Sequence, residues 1–557
     1  MNIEEVQRRL WEQSNAHKQN RESGTPLFPT NPYGGRIGGL MDLMHNPTWI
    51  AAACDRVLKR SRGKAAGVDK VRASDFEKSR EHRLEELRLE LKRGTYRPQP
   101  LRRVEIPKAN GKMRRLGIPC LRDKIVQEAI RMALEPIYEV EFHEHSYGFR
   151  PNRSAHHAVA RCRYTALTGF TWIIEGDVKA CFDEISHKAI LRCLREKVID
   201  GKFLALIQLL LKAGVEIDGA VHPTVKGVPQ GGVVSPLLAN LVLNKLDWFL
   251  HSKGFHDEVS KRRIYHGRSN IRFCRYADDW CVFLTRSSRE QAERLRDEIR
   301  IFLRETCGLE LSDEKTRITH VRDGYDFLGF NISVGDGKFG KPAPKVRVGR
   351  KAITNIQHRL GEVLRYRPMQ ESISVRLEQA SAVIRGWSNY FKAAHNFSQV
   401  AHGLDHRAFW IAVKAICRKE DISTAQCLRR YRLENTIGVH RDCALARFKD
   451  TSAAYYYSSP EPYHPGCNQP YLEDEEWEDA RVFPDHQRPG RGDLKWKALV
   501  RDGFHCRSCG VMVIALTSHA DHIQPVNRFA NVAASNDLDN IQTLCLRCHS
   551  LKTANDK

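Results

Sequence analysis

Long apolar runs are missing from this chain of 557 residues. The most apolar stretch, Phe203 to Val215, is interrupted by Gln208 and Lys212. It falls short of the roughly 18–20 residues that cross a bilayer, so it predicts a buried helix and no membrane span. Met1 to Leu10 has no apolar signal core, and Glu4 and Glu5 argue against an organellar transit peptide, so the protein is expected to stay in the cytoplasm where it is made. Acidic charge is in deficit: Lys and Arg number 90 against 67 Asp and Glu, a formal +23. Such a surface draws in phosphate polymers by releasing their counterions, although charge alone would also serve solubility. A regular disulfide framework is absent, since most of the 16 cysteines are scattered singly through periodic segments, as suits reduced, buried thiols. Repeats of fixed period and low-complexity tracts are lacking too.

What is present points to several domains, because the length exceeds what one hydrophobic core supports. From 61 to about 335, short apolar runs alternate with helical patterns such as Leu84–Leu91 and Ile125–Val140, which predicts a mixed α/β region. From about 345 to 435 the pattern turns helical and basic, as in Ala352–Arg367 and Val375–Ala393. Residues 455–492 carry Tyr455-Tyr456-Tyr457, six prolines and the acidic run Glu473-Asp474-Glu475-Glu476, the composition of a linker to a Cys- and His-bearing module from about 493.

The segment Ile271 to Leu284 is two apolar strands meeting at Asp278-Asp279, the pattern of a β-hairpin with an acidic tip. Adjacent carboxylates repel each other, and a cation relieves the repulsion; Mg²⁺ takes hard oxygen ligands together with substrate phosphates. A second strand-like run, Thr171 to Asp183, also ends apolar pattern at an aspartate, and Asp177 within it could share metal ions with Asp278. Two ions so held would stabilise the attacking 3′-oxygen and the leaving pyrophosphate of nucleotidyl transfer. Taken alone, Asp-Asp in a turn is also what a solvated turn looks like.

The ordered set of motifs around these aspartates resembles the reverse transcriptases of group II introns, over about residues 30 to 395. Ile106-Pro107-Lys108-Ala109-Asn110-Gly111-Lys112-Met113-Arg114 looks like the fingers motif, which implies that Lys108 and Arg114 hold the incoming triphosphate. His145-Ser146-Tyr147-Gly148-Phe149-Arg150-Pro151 and Gly227-Val228-Pro229-Gln230-Gly231-Gly232 are similarly family-like, and the resemblance puts Gln230 beside the nascent base pair. Phe182, five residues past Asp177, matches the bulky residue that rejects a 2′-hydroxyl; plain core packing is the alternative. Leu311-Ser312-Asp313-Glu314-Lys315-Thr316 and Phe327-Leu328-Gly329-Phe330 resemble motifs that close the palm, with Lys315 at the substrate. The resemblance makes Asp177, Asp278 and Asp279 catalytic, with Mg²⁺ on Asp177 and Asp278.

Ile384-Arg385-Gly386-Trp387-Ser388-Asn389-Tyr390-Phe391 resembles the maturase region of the same family. Trp387 and Phe391, four apart, are expected mainly in the core, while Arg359, Arg365, Arg367 and Lys392 face RNA. Residues 405–450, with His406-Arg407, Arg429-Arg430 and Arg441, continue on charge alone into a DNA-binding segment.

Cys506-x-x-Cys509 and Cys545-x-x-Cys548 are separated by 35 residues. Four thiolates complete a closed tetrahedral Zn²⁺ shell that staples a small domain, and disulfides would suit a secreted chain instead. Around the pairs stand His519-Ala520-Asp521-His522, Asp539-Asn540 and His549, in the order and spacing that resemble HNH nucleases. Carried over, Asp521 and His549 ligate a divalent ion (Mg²⁺ or Mn²⁺), His522 is the general base and Asn540 orients the site. His519 is given no role. A zinc-stapled DNA-binding finger without cleavage would share the cysteines.

The expected architecture is multidomain α+β: a right-hand polymerase with fingers and palm over 1–335, an α-helical thumb and maturase domain over 336–435, a DNA-binding segment and linker over 436–492, and a zinc-stapled ββα-metal HNH module over 493–557. Its implied partners are intron RNA in a lariat ribonucleoprotein, target DNA and dNTPs, in a bacterial cytoplasm and nucleoid. A pure splicing factor and a reverse transcriptase of a defence system are the rivals. The intact aspartates count against the first, and the maturase-like and HNH segments against the second.

Overall fold

The computed structural model describes residues 1–23, 36–61, 65–107, 113–167, 169–254, 269–337, 342–365, 371–440, 443–453, 498, 501–502, 505–509, 518–524, 538–545, 548–549 and 552. They divide into two compact units, one of residues 1–158 and 172–318, the other of 159–171, 319–453 and the described positions from 498 on. Lys108, Arg367, Arg441 and the expected linker at 455–492 lie outside the described residues.

The first unit is built around helix Leu121–Glu139, which is buried at most of its positions, Asp123, Gln127, Glu128 and Glu139 included, as befits a helix enclosed on nearly every side. Ile125, Val126, Ala129, Ile130 and Ile137 are fully buried on it, and Trp49 of helix Pro47–Ser61 reaches across to donate from Nε1 to the Ala129 carbonyl at 3.1 Å. Its buried acids are paired, as burial of charge demands: Glu128 takes Arg131 Nη2 at 2.8 Å, and Glu139 takes Arg150 Nε at 3.0 Å. The apolar run from Phe203 is only partly the expected helix. Asp200 caps helix Gly201–Leu211 by accepting from Phe203 N at 3.0 Å, but Gly214 at φ +79 redirects the chain and Val215 begins a strand.

Eight strands build two sheets: β1 (Leu101–Pro107), β2 (Met113–Ile118), β3 (Phe170–Asp177), β4 (Val215–Ile217), β5 (Ala220–His222), β6 (Asn270–Tyr276), β7 (Asp279–Thr285) and β8 (Arg317–His320). The orders are β2-β1-β4-β5 and β6-β7-β3-β8. Strand β7 is buried at every position from Trp280 to Thr285, which is why it reads as a continuous apolar run and not as an alternating one.

In the second unit β9 (Tyr325–Phe327), β10 (Phe330–Asp336) and β11 (Pro342–Val348) form an antiparallel sheet in the order β11-β10-β9. Helices Arg350–Arg365, Ile373–Phe391, Phe397–Glu420 and Thr424–Tyr431 follow. Ser372 caps the second of these by accepting from Val375 N, and Ser423 with Gln426 forms a capping box on the last. Phe330 packs its ring on Tyr390 and Phe391 at 5.5 and 5.0 Å, so the Phe327–Phe330 motif lies in the unit that holds the basic helices. Trp387 meets Phe391, Phe397 and Phe448, an aromatic core, while Arg359 and Arg365 are exposed. No helix among the described residues is long and apolar enough to cross a membrane.

Candidate active sites

Strands β6 and β7 pair in register up to Tyr276 opposite Asp279, which leaves Ala277 and Asp278 as a two-residue turn. Such turns need positive φ and favour Gly, Asn or Asp. Ala277 sits at φ +58, a conformation costing roughly 1–2 kcal/mol for a residue with a Cβ. A buried network holds it there. Arg275 donates from Nη1 to the Ala277 carbonyl and to Asn240 Oδ1, both at 2.8 Å, and from Nη2 to Ser146 Oγ at 2.8 Å. Its fork pairs with the fully enclosed Asp247 at 2.7 and 2.6 Å. Gly148 closes the arrangement from the other side, since a Cβ there would lie 2.3 Å from Ala277 N. The His145–Pro151 motif therefore buttresses the acidic turn, and its Arg150 is in turn fixed on Glu139.

The turn brings Asp278 and Asp279 to Asp177 at the end of β3. Asp177 is buried and accepts from Lys315 Nζ at 2.5 Å. Enclosure by protein, then the charges of Asp278 and Asp177, push the Asp279 carboxyl up to about 7 even though its edge is open to solvent. Burial, reinforced by Asp177, also raises Asp278. Partial desolvation works against the Lys315 charge, but its bond to Asp177 and the nearby Asp279 and Asp278 outweigh it and raise its pKa. Three carboxylates against one ammonium leave an all-oxygen site with excess negative charge, which fits Mg²⁺.

Gln230 links Asp183 to the β1–β2 hairpin. Its Nε2 donates to Asp183 Oδ2 at 3.1 Å, its Oε1 accepts from Arg114 Nε at 3.4 Å, and its carbonyl accepts from Gly117 N at 3.0 Å. Gly227, at φ +85, lets this loop approach β3's extension, where a Cβ would meet the Asp183 carbonyl at 2.7 Å. Phe182 is half-buried, its ring edge-on to the exposed Phe149 at 6.5 Å, and its carbonyl accepts from Val228 N.

In the C-terminal module, strand Ser518–His522 pairs antiparallel with Ile541–Cys545, Asp521 opposite Gln542 and His522 opposite Ile541. Asn540 clasps Gln524 through both amide atoms, accepting from its N at 2.9 Å and donating to its carbonyl at 3.2 Å. Asp521 lies 3.8 Å from His549 Nε2, accepts from Gln542 Nε2 at 3.1 Å and from Lys552 Nζ at 2.5 Å, and His519 stacks on His549 at 4.1 Å. Lys552 also donates to the His522 carbonyl.

The Sγ atoms of Cys506, Cys509, Cys545 and Cys548 all lie within 4.8 Å of one another, the one such gathering of three or more donors among the described residues; the aspartates near Lys315 are spread more widely. Cys509 and Cys545 are 3.8 Å apart, the spacing that tetrahedral Zn–S bonds of about 2.3 Å impose, so the donor set fits zinc. Burial alone would raise the Cys506 thiol, but backbone N–H groups of Cys545, Cys509 and Ser508 hold it at about 7. Ser508 favours the Cys548 thiolate, yet burial and the three other thiols push it up to about 12. Four thiols this close cannot all ionise without a cation.

Residues 106–332 match the family Reverse transcriptase (RNA-dependent DNA polymerase), 353–431 match Group II intron, maturase-specific domain, and 506–555 match HNH endonuclease. Protein YkfC of Escherichia coli K12 is 39% identical over 327 residues, covering 55% of this chain and 86% of that protein. The group II intron-encoded protein LtrA of Lactococcus lactis subsp. cremoris is 35% identical over 317 residues, 48% of this chain and 52% of its own length. The chain belongs to the group II intron-encoded reverse transcriptase–maturase family, with an HNH endonuclease domain. The match spans about half of LtrA. Among solved structures, telomerase from Candida albicans aligns with a TM-score of 0.33 at 13% identity, over 62% of this chain and 64% of that one.

Three supports of this group II intron protein went unseen in the sequence reading. Asp183 orients Gln230, Asp247 holds Arg275, and Lys552 pairs with Asp521. A signal existed for Asp247, an acid that helical spacing sets on one face with Leu243 and Leu250 in a largely apolar helix, the mark of a buried ion pair. Asp183 and Lys552 sit in polar surroundings that single out neither.

Proposed function

We propose that this protein serves a mobile group II intron as RNA-directed DNA polymerase, as maturase and as the endonuclease that cuts the second strand of the DNA target. The observation that carries it is the meeting of Asp177, Asp278, Asp279 and Lys315 at a braced turn, with Arg114 and Gln230 joined beside it. Asp177 and Asp278 would hold Mg²⁺, which when bound supplies charge stabilisation for the 3′-oxygen and the departing pyrophosphate. Arg114, with Lys108, binds the dNTP triphosphate, and Gln230 is held by Asp183 with its amide fixed toward the nascent pair. Phe182 lies under the sugar and excludes a 2′-hydroxyl.

In the HNH module Asp521 and His549 would hold Mg²⁺ or Mn²⁺, which when bound offsets charge on the phosphate. His522 takes the proton of the attacking water, and Asn540 fixes the strand end that carries it. The four cysteines would hold Zn²⁺ as a staple. The work divides as polymerase over 1–335, thumb and maturase over 336–435, DNA-binding segment and linker over 436–492, and nuclease over 493–557. The protein binds the intron RNA, assists its splicing and remains with the excised lariat. After that RNA inserts into one DNA strand, cleavage of the other provides the 3′-end that is copied into cDNA.

Asp278→Asn tests this. It removes one metal ligand without touching the basic surface, so primer extension on an RNA template should fall by about a hundredfold or more, with intron RNA affinity nearly unchanged. Extension at the wild-type rate would remove Asp278 from catalysis. RNA copurifying with the protein should contain excised lariat, and its absence would contradict the maturase role.

A further inference from the structure

Away from both sites, the second unit holds an aromatic cleft with cationic walls, about 380 Å³ in volume, between helix Phe397–Glu420 and the hairpin of Arg432–Leu433 with Thr436–Ile437. Pockets for small ligands begin at roughly 300 Å³, so the space admits a planar heterocycle. Trp410 forms one face and is 37% exposed, on a helix whose other face is packed into the core through Leu404, Ala408, Ala412 and Ile416. Its Nε1 donates to His406 Nε2 at 3.2 Å, and Phe409 stands edge-on to it with centroids 5.5 Å apart. The indole is thus fixed by its polar edge while its surface stays open.

The facing wall is a turn in an expensive conformation. Leu433 pairs with Thr436, leaving Glu434-Asn435 as the turn, and Glu434 takes φ +49 where Gly, Asn or Asp would be cheaper. That turn sets Asn435 at the cleft, and a carboxamide offers a donor and an acceptor side by side, the combination that reads a base edge. Arg432, Arg447 and Lys449 line the rim. The acids there are Glu434 and Asp405, and Asp405 already accepts from the backbone N–H of Phe448 and Lys449. Arg447 is held by Asp450, and Arg432 and Lys449 beside an open aromatic face favour a base carried on a phosphate backbone, which offers a ring to stack and phosphates for the two cations.

We propose that this cleft receives one unpaired nucleobase of single-stranded RNA, stacked on Trp410, its edge read by Asn435 and its phosphates met by Arg432 and Lys449. The proposal rests on the maturase reading, since helix Phe397–Glu420 lies inside the matched maturase segment. The test uses the full chain with a short oligoadenylate RNA and, separately, an iodouridine-bearing RNA of the same length for photocrosslinking. The expected crosslink maps to the peptide containing Trp410. Binding should weaken about tenfold in Trp410→Ala, stay within about threefold of wild type in Trp410→Phe, and weaken in Arg432→Gln. If Trp410→Ala fails a thermal-melt check of folding, the crosslink and the other two variants decide. A crosslink elsewhere with unchanged affinity in Trp410→Ala overturns the cleft and leaves RNA binding by the maturase region standing. DNA of the same sequence binding as tightly as the RNA overturns the RNA assignment. Failure to bind even structured intron RNA would sink the maturase reading, and the cleft with it.

Discussion

Arg275 commits its guanidinium to a turn that carries the candidate catalytic acids but gains nothing itself from solvent. Breaking a buried pair by removing one partner typically destabilises by about 3–5 kcal/mol, so Arg275→Ala should unfold at markedly lower denaturant. Arg275→Met combined with Asp247→Leu, which leaves no unpaired charge, should recover much of that stability. Primer extension should nonetheless stay low, because the Ala277 carbonyl and Ser146 lose their donors; wild-type extension in the stable double variant would reduce Arg275 to a packing residue. The carboxyl cluster makes a second demand. Asp279 is raised to about 7, so the metal-free fold holds a proton there that the unfolded chain releases near the ordinary carboxylate range. Its contribution to stability is therefore present at low pH and lost as pH rises through about 7. Added Mg²⁺ should raise the melting temperature more at pH 8 than at pH 6, and equal shifts would show that no proton is displaced. The acidic tip was legible because both carboxylates and their strands are contiguous in sequence. Asp247 and Asp183 were not, since their partners lie 28 and 47 residues away and only the fold joins them.

At the scale of elements, periodicity found what local sequence controls. The hairpin expected over Ile271–Leu284 forms, and the helical patterns Ile125–Val140, Ala352–Arg367 and Val375–Ala393 overlap helices Leu121–Glu139, Arg350–Arg365 and Ile373–Phe391. The run from Phe203 misled because helix and buried strand are both apolar, and the switch rests on one glycine with positive φ. The strand pair at the C-terminus was legible through its cysteines and the His519–His522 and Asp539-Asn540 motifs, and not through strand patterning. Those strands are short, five residues each, and too small to be stable without a staple. Cys506→Ala opens the thiolate shell, so zinc content and protease resistance of the C-terminal region should fall together. Full resistance without bound zinc would show that packing, and not the metal, holds the strands.

For the whole molecule, the order of motifs was readable, while the division between Ile318 and Thr319 was not, because it cuts within β8, whose strand pattern gives no sign of a unit boundary. The +23 charge acts at this scale, and affinity for intron RNA should fall steeply between low and high salt as counterions are released; a flat profile would contradict electrostatic capture. The two candidate chemistries reside in different units, Asp177, Asp278 and Asp279 in the first and His522 in the second. They also use different residues and are expected to use different ions, so they should be separable by one substitution. His522→Ala leaves all four clustered cysteines in place and removes the proposed base. Cleavage of the second DNA strand by the reconstituted ribonucleoprotein should fall by about a hundredfold or more. Extension of a supplied primer should continue. Loss of both activities would mean that His522 holds structure shared by the two, and retained cleavage would exclude it from the nuclease site.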